Sequence, residues 1–168
     1  PSLDTHPELR PNRLIYYGIE TARGYDPIIL RSYAQFVNRI YGRPENMPQG
    51  GLLFFGEPNE HTLEGFNAMN VKYIVTTLTL TSPLRQVWNE EASNIKIYEN
   101  PNVHPRFYLE QPSEGSTIAT QVLSPSHIQV NVNNTDDNRF IWSQNYYPGW
   151  SIQSDESLQI TPYEGTWI

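Results

Sequence analysis

The stretch IATQVLSPSHIQVNV, residues 118–132, decides the fold class of this chain. Within it Ile128, Val130 and Val132 alternate with the polar Gln129 and Asn131, the period of two shown by a half-buried β-strand. The cluster Ser124, Pro125, Ser126 separates this run from an earlier one over 118–123. Similar short segments follow at 140–145, 150–153 and 157–160, each set off by turn residues. Strands at such regular spacing predict an all-β, sandwich-like or meander half over residues 113–168.

The pattern upstream is different. Residues 1–12, rich in Pro and charge, read as a linker, and the apolar run Leu14, Ile15, Tyr16, Tyr17 before Gly18 predicts a buried strand. Over 26–41 the apolar residues Ile29, Tyr33, Phe36, Val37 and Ile40 recur at helical spacing. Asp26 is the expected N-cap there, and Pro27 suits the first turn. Residues 42–59, with three prolines and four glycines, read as a loop in which 52–55 is a candidate strand. A second helix is expected at 61–69, a β-branched strand at 71–80 and a short helix at 83–89. Two more strands are marked by Ile95 with Ile97 and by residues 107–109. The expected architecture is therefore α+β: an α/β half over 1–110, with two or three helices on a small sheet, then the β-sandwich-like half.

Composition excludes several function classes. A net charge of −7 with 11 Lys plus Arg supplies neither the clustered cations of a phosphate-backbone binder nor a polybasic patch for anionic lipid, so nucleic acid is not an expected partner. With no cysteine there is no thiolate nucleophile, disulfide framework or zinc–cysteine site. The chain starts at Pro1 and stops just after a new apolar pair, Trp167 and Ile168, so both ends are expected to continue into a longer protein.

Catalytic patterns are missing as well. His6, His61, His104 and His127 stand far apart without zinc-ligand spacing, and no metal or other cofactor is expected. The adjacent acids Glu90 and Glu91, Asp136 and Asp137, and Asp155 and Glu156 cannot face one another, and they read as solvated loop charges. No nucleophile elbow, P-loop or dinucleotide fingerprint is present. No catalytic residue is therefore assigned. Asn133, Asn134 and Thr135 spell a glycosylation sequon that doubles as turn chemistry. The aromatic residues, 12% of the chain with 4 Trp and 11 Tyr, suit a sugar-stacking platform if enough of them are exposed.

Four clusters remain: Gly24, Tyr25, Asp26 and Pro27; Asn70, Val71, Lys72, Tyr73 and Ile74; Tyr98, Glu99 and Asn100 with Pro105 and Arg106; and Tyr146, Tyr147, Pro148, Gly149 and Trp150. In order and spacing, from about Pro11 to Trp150, they resemble the soluble C-terminal region of bacterial YfhO-type membrane proteins. That resemblance implies a polytopic parent similar to the lipid-linked-sugar glycosyltransferases, with this region on the outer face of the cell membrane. It implies that the catalytic acid and the transmembrane helices lie elsewhere, and that the partners are the parent's transmembrane portion and a lipid-linked sugar or envelope polysaccharide.

Each cluster also has an architectural expectation. Arg106 reads either as simply exposed or as paired with Asp26 or Glu99, which would join the two halves. Pro148 and Gly149 are expected at the centre of a type II turn, with Gly149 at positive φ and Trp150 directed inward. Two other function classes stand beside the accessory domain: a free-standing carbohydrate-binding module and a structural interaction domain. An exposed row of at least two aromatics beside polar side chains favours the carbohydrate-binding module. A buried aromatic set with an apolar patch near the termini favours docking.

Overall fold

The computed structural model describes residues 12–23, 29–44, 56–133, 138–154 and 158–163. The fold is α+β with a β-rich second part. Two compact units divide the chain, Pro1–Val103 and His104–Ile168.

In the first unit, helices α1 (Arg31–Ile40) and α2 (Glu60–Ala68) pack against each other where Ile40 and Tyr41 meet Thr62, Gly65 and Phe66, and they bury Ala34, Phe36 and Val37 and Thr62, Gly65 and Phe66 respectively. Both end the same way. Gly42 and Asn70 take positive φ, and the next residues, Arg43 and Val71, return hydrogen bonds to the carbonyls of Asn38 and Phe66 and close the last turn, while the Ile40 carbonyl also accepts from Thr62 Oγ1 at 3.3 Å. The α2 start is capped by Asn59, whose side chain accepts from the Thr62 amide at 3.0 Å.

Strands β1 (Tyr73–Thr76), β2 (Arg85–Glu90) and β3 (Ile95–Glu99) follow in the antiparallel order β1-β3-β2. Tyr98 on the central strand is buried. Its hydroxyl accepts from the Leu80 amide at 3.1 Å and lies 3.2 Å from Gln86 Oε1, so the phenol is paired where water does not reach it.

The second unit contains two antiparallel ladders. β4 (Phe107–Leu109) pairs with β7 (Phe140–Trp142), and β5 (Thr117–Ser124) pairs with β6 (His127–Asn133). The partnership with β7 is what assigns β4 to this unit. Leu109, Ile141 and Trp142 form its buried centre, with Phe107 directly opposite Trp142.

Several expectations are corrected. Helix α1 starts at Arg31 with Leu30 at the N-cap and no side-chain cap bond, a full turn later than the Asp26 reading; Gly24, Tyr25 and Asp26 themselves lie outside the described residues, as does the candidate strand at 52–55. The apolar run from Leu14 lies in a 3-10 turn, Arg13–Tyr17, with no buried residue rather than in a buried strand, and among the described residues no strand pairs with it. Residues 83–89 do not form a helix: from Arg85 on they belong to β2, because the turn after Glu90 returns the chain as β3 and gives their backbone groups a ladder. The strand expected over 71–80 is limited to Tyr73–Thr76. Among the described residues, 150–153 and 158–160 carry no strand, so the β-rich unit is built from ladders of two.

Candidate functional site

The sequence clusters at Lys72, Tyr73 and at Glu99, Asn100 converge on one place, the β1-β3-β2 sheet. Tyr73 lies opposite Glu99 on β3, and Glu99 lies opposite Arg85 on β2, so the three form one row across the sheet. Cross-strand partners share a face, so all three side chains stand on the same side. Two residues further along β3, Ile97 is flanked by Val75 on β1 and by Trp88 on β2, on that same side.

Trp88 reaches this face because of a β-bulge. Gln86 pairs with Tyr98 and Trp88 with Ile97, so Val87 is an extra residue on β2 that β3 does not match. In an unbulged strand Trp88 would lie three positions from Arg85 and point to the other face. The face thus presents two aromatic rings, Tyr73 at 52% and Trp88 at 46% exposure, with half-buried Val75 and Ile97 between them.

The polar centre of the row is an ion pair. Arg85 Nη2 donates to Glu99 Oε2, and the two side chains differ sharply in exposure, 74% for Arg85 and 21% for Glu99. The Arg85 hydrogen bond holds the Glu99 carboxyl below the usual carboxylate range, with Lys72 adding in the same direction, and the Arg85 guanidinium is correspondingly more basic. Both groups stay charged at neutral pH. Lys72 Nζ lies 5.3 Å from the centroid of the Tyr73 ring, a cation–π contact.

Asn100 stands just past this row and has a different job. It is 2% exposed; its amide donates to the Lys72 carbonyl at 2.8 Å, its Nδ2 to the Val71 carbonyl at 3.2 Å, and its Oδ1 accepts from the Asn102 amide at 3.1 Å. Its Nδ2 also meets the Asn67 carboxamide of α2 at 2.7 Å. Turning that carboxamide over would exchange this bond for donation to the carbonyls of Leu63 and Asn102, but the two amides would still face each other. Asn100 therefore ties α2 and the start of β1 to the end of β3, and so fixes the base on which Lys72 and Tyr73 sit.

The remaining expected positions are in the second unit. Arg106 Nη2 reaches Gln144 Oε1 at 3.4 Å, while the ion-pair partner of Glu99 is Arg85. In the Tyr147-Pro148-Gly149-Trp150 turn the Trp150 amide donates to the Tyr147 carbonyl at 3.1 Å. Gly149 is not at positive φ, so the turn is not type II. Glycine serves here because the Tyr147 ring lies over it, 3.3 Å from where a Cβ would stand. Trp150 is half-buried and meets Trp142 edge to face at 4.8 Å, next to Phe107 and Phe140. In the last cluster Trp150 is therefore packing, whereas Tyr147 stands exposed.

Sequence reasoning placed Tyr73 and Glu99 among the candidates and missed Arg85 and Trp88. Both sit in the segment expected to be helical, where their spacing carries no face information. Polar Arg85 and Gln86, apolar Val87 and Trp88 and polar Asn89 do not alternate, so the segment carries no period-two strand signal.

Among the described residues no three metal-ligating side chains converge, and no described helix is long and apolar enough to cross a membrane. Comparison of the chain with protein-family models, with curated proteins and with solved structures gives no match.

Proposed function

We propose that this chain is a non-catalytic accessory domain that holds a saccharide on the face of its β1-β3-β2 sheet, as the extracytoplasmic part of a polytopic membrane protein of glycosyltransferase-like type. The observation that carries the saccharide reading is the exposed pair Tyr73 and Trp88 on one face, with the Arg85–Glu99 ion pair in the same row. Aromatic faces stack on the apolar C–H side of a sugar ring, and a charged donor–acceptor pair bonds its hydroxyls. The ligand is then the sugar of a lipid-linked donor or a cell-envelope acceptor.

The membrane part rests on the ordered sequence clusters and on a second surface. Ile15, Tyr16, Tyr17 and Ile19 are all exposed in and beside the 3-10 turn, and such an apolar patch suits burial against the parent's transmembrane portion.

Tryptophan fluorescence and calorimetric titration of the chain with neutral oligosaccharides test the binding, and incubation with nitrophenyl glycosides and lipid-phosphate sugars tests for turnover. The expected outcome is saturable binding without product. Turnover abolished by one carboxylate substitution would assign a catalytic role, and absence of binding to every glycan would remove the saccharide reading.

A further inference from the structure

The two rings are far apart on the face. Tyr73 and Trp88 lie on the outer strands and in neighbouring same-face rows, so their backbone positions are two strand spacings and two residues apart, about 12 Å along a diagonal. One monosaccharide cannot cover both, whereas an extended run of sugar rings can.

The chemistry along that diagonal is uneven. Val75 and Ile97 form a half-buried apolar floor, and the Arg85–Glu99 pair flanks it in the Tyr73 row. A guanidinium has five N–H donors and a carboxylate about four acceptor positions, so their mutual contact leaves capacity on both for a sugar diol that must donate and accept together. Charge then selects among extended glycans. Arg85 is paired with Glu99, the Lys72 charge beside the Tyr73 ring is offset by Glu90, which pairs with Ile95 on the same face one row beyond Trp88, and the chain as a whole carries −7, so the face has no net positive charge to draw a polyanion.

We infer that the ligand of this face is a neutral, extended oligosaccharide, bound diagonally from Tyr73 to Trp88 with one of its diols held by Arg85 and Glu99. This rests on the saccharide reading above and adds to it the length and charge of the ligand.

The test titrates the 168-residue chain with glucose, with the neutral hexasaccharides cellohexaose, maltohexaose and chitohexaose, and with the anionic hexagalacturonate. At least one neutral hexasaccharide should bind about tenfold or more tighter than glucose, and Tyr73→Ala and Trp88→Ala should each weaken it by about tenfold at unchanged melting temperature. Glu99→Gln, which keeps the shape but breaks the ion pair, should weaken it as well. Equal affinity for glucose and the hexasaccharides overturns the extended ligand, and preference for hexagalacturonate overturns the neutral one. In both of those cases loss of binding in Trp88→Ala leaves the saccharide reading standing. Binding that neither ring substitution affects places the glycan elsewhere and overturns the inference, and no binding to any of these sugars overturns both.

Discussion

Arg85 and Trp88 are three residues apart on β2 yet share one face of the sheet, opposite Glu99 and Ile97 respectively. The unmatched Val87 makes this so. Deleting Val87 should leave the Trp88–Ile97 pairing intact, since removal of the extra residue restores a regular ladder in which Trp88 still follows Arg85 by two positions. A cross-strand nuclear Overhauser contact between Trp88 and Ile97 that persists in the deletion variant is the expected result. Its replacement by a Trp88–Lys96 contact would mean the ladder slips instead of closing.

Helix packing sets up a contest of signs at Gly65. A Cβ there would lie 2.7 Å from Ile40 Cγ2 and 2.8 Å from Cδ1, too close without movement of α1. Alanine is the better helix former by about 1 kcal/mol, but overpacking typically costs about 1–3 kcal/mol. Gly65→Ala should therefore destabilise the fold in denaturant titration. Combined with Ile40→Ala the loss should shrink, with a coupling of about 0.5–3 kcal/mol. A stabilised single variant would show that α1 and α2 separate freely.

Trp150 is half-buried against Trp142, so its removal should cost less than the 3–5 kcal/mol typical of a fully buried large aromatic; about 1–3 kcal/mol is expected for Trp150→Ala in thermal or chemical melts. Gly149→Ala separates two reasons for the glycine. Without a positive φ to satisfy, the new methyl has only to displace the exposed Tyr147 ring, and the cost should stay below about 1 kcal/mol. A larger loss would point to backbone strain at this position.

Tyr41 links stability to alkaline pH. Burial pushes its hydroxyl up to about 12 despite the Arg43 guanidinium 4.5 Å over the ring, and burial raises Tyr33 further. A tyrosine pKa raised by folding contributes stability that is fully present below the unfolded value of about 10 and is lost as pH rises through the folded one. Unfolding free energy should therefore fall between pH 10 and about 12, with tyrosinate absorbance rising together with loss of structure. Tyr41→Phe should flatten the slope in that window, and an unchanged slope would place the effect on other groups.

Local patterns were legible wherever one short segment carried its own structural signal. Helix α2 was expected at 61–69 and runs Glu60–Ala68, since its start and end are determined by nearby side chains: Asn59 caps one end and Asn70 turns the other. The β5–β6 hairpin keeps the bounds expected from 118–123 and 127–132 to within a residue, because its strands pair across a short turn, although Val122, Leu123 and Val132 stay exposed. The α+β class follows from these signals. The binding face was decided elsewhere. Residues 85–90 became a strand only because β3 returned alongside them, and a bulge visible only in the register brought Trp88 to the side of Tyr73, Arg85 and Glu99. Periodicity reports which residues of one segment share a face, but the joining of faces from three strands depends on pairing register, a property of the contacts between segments rather than of any one of them.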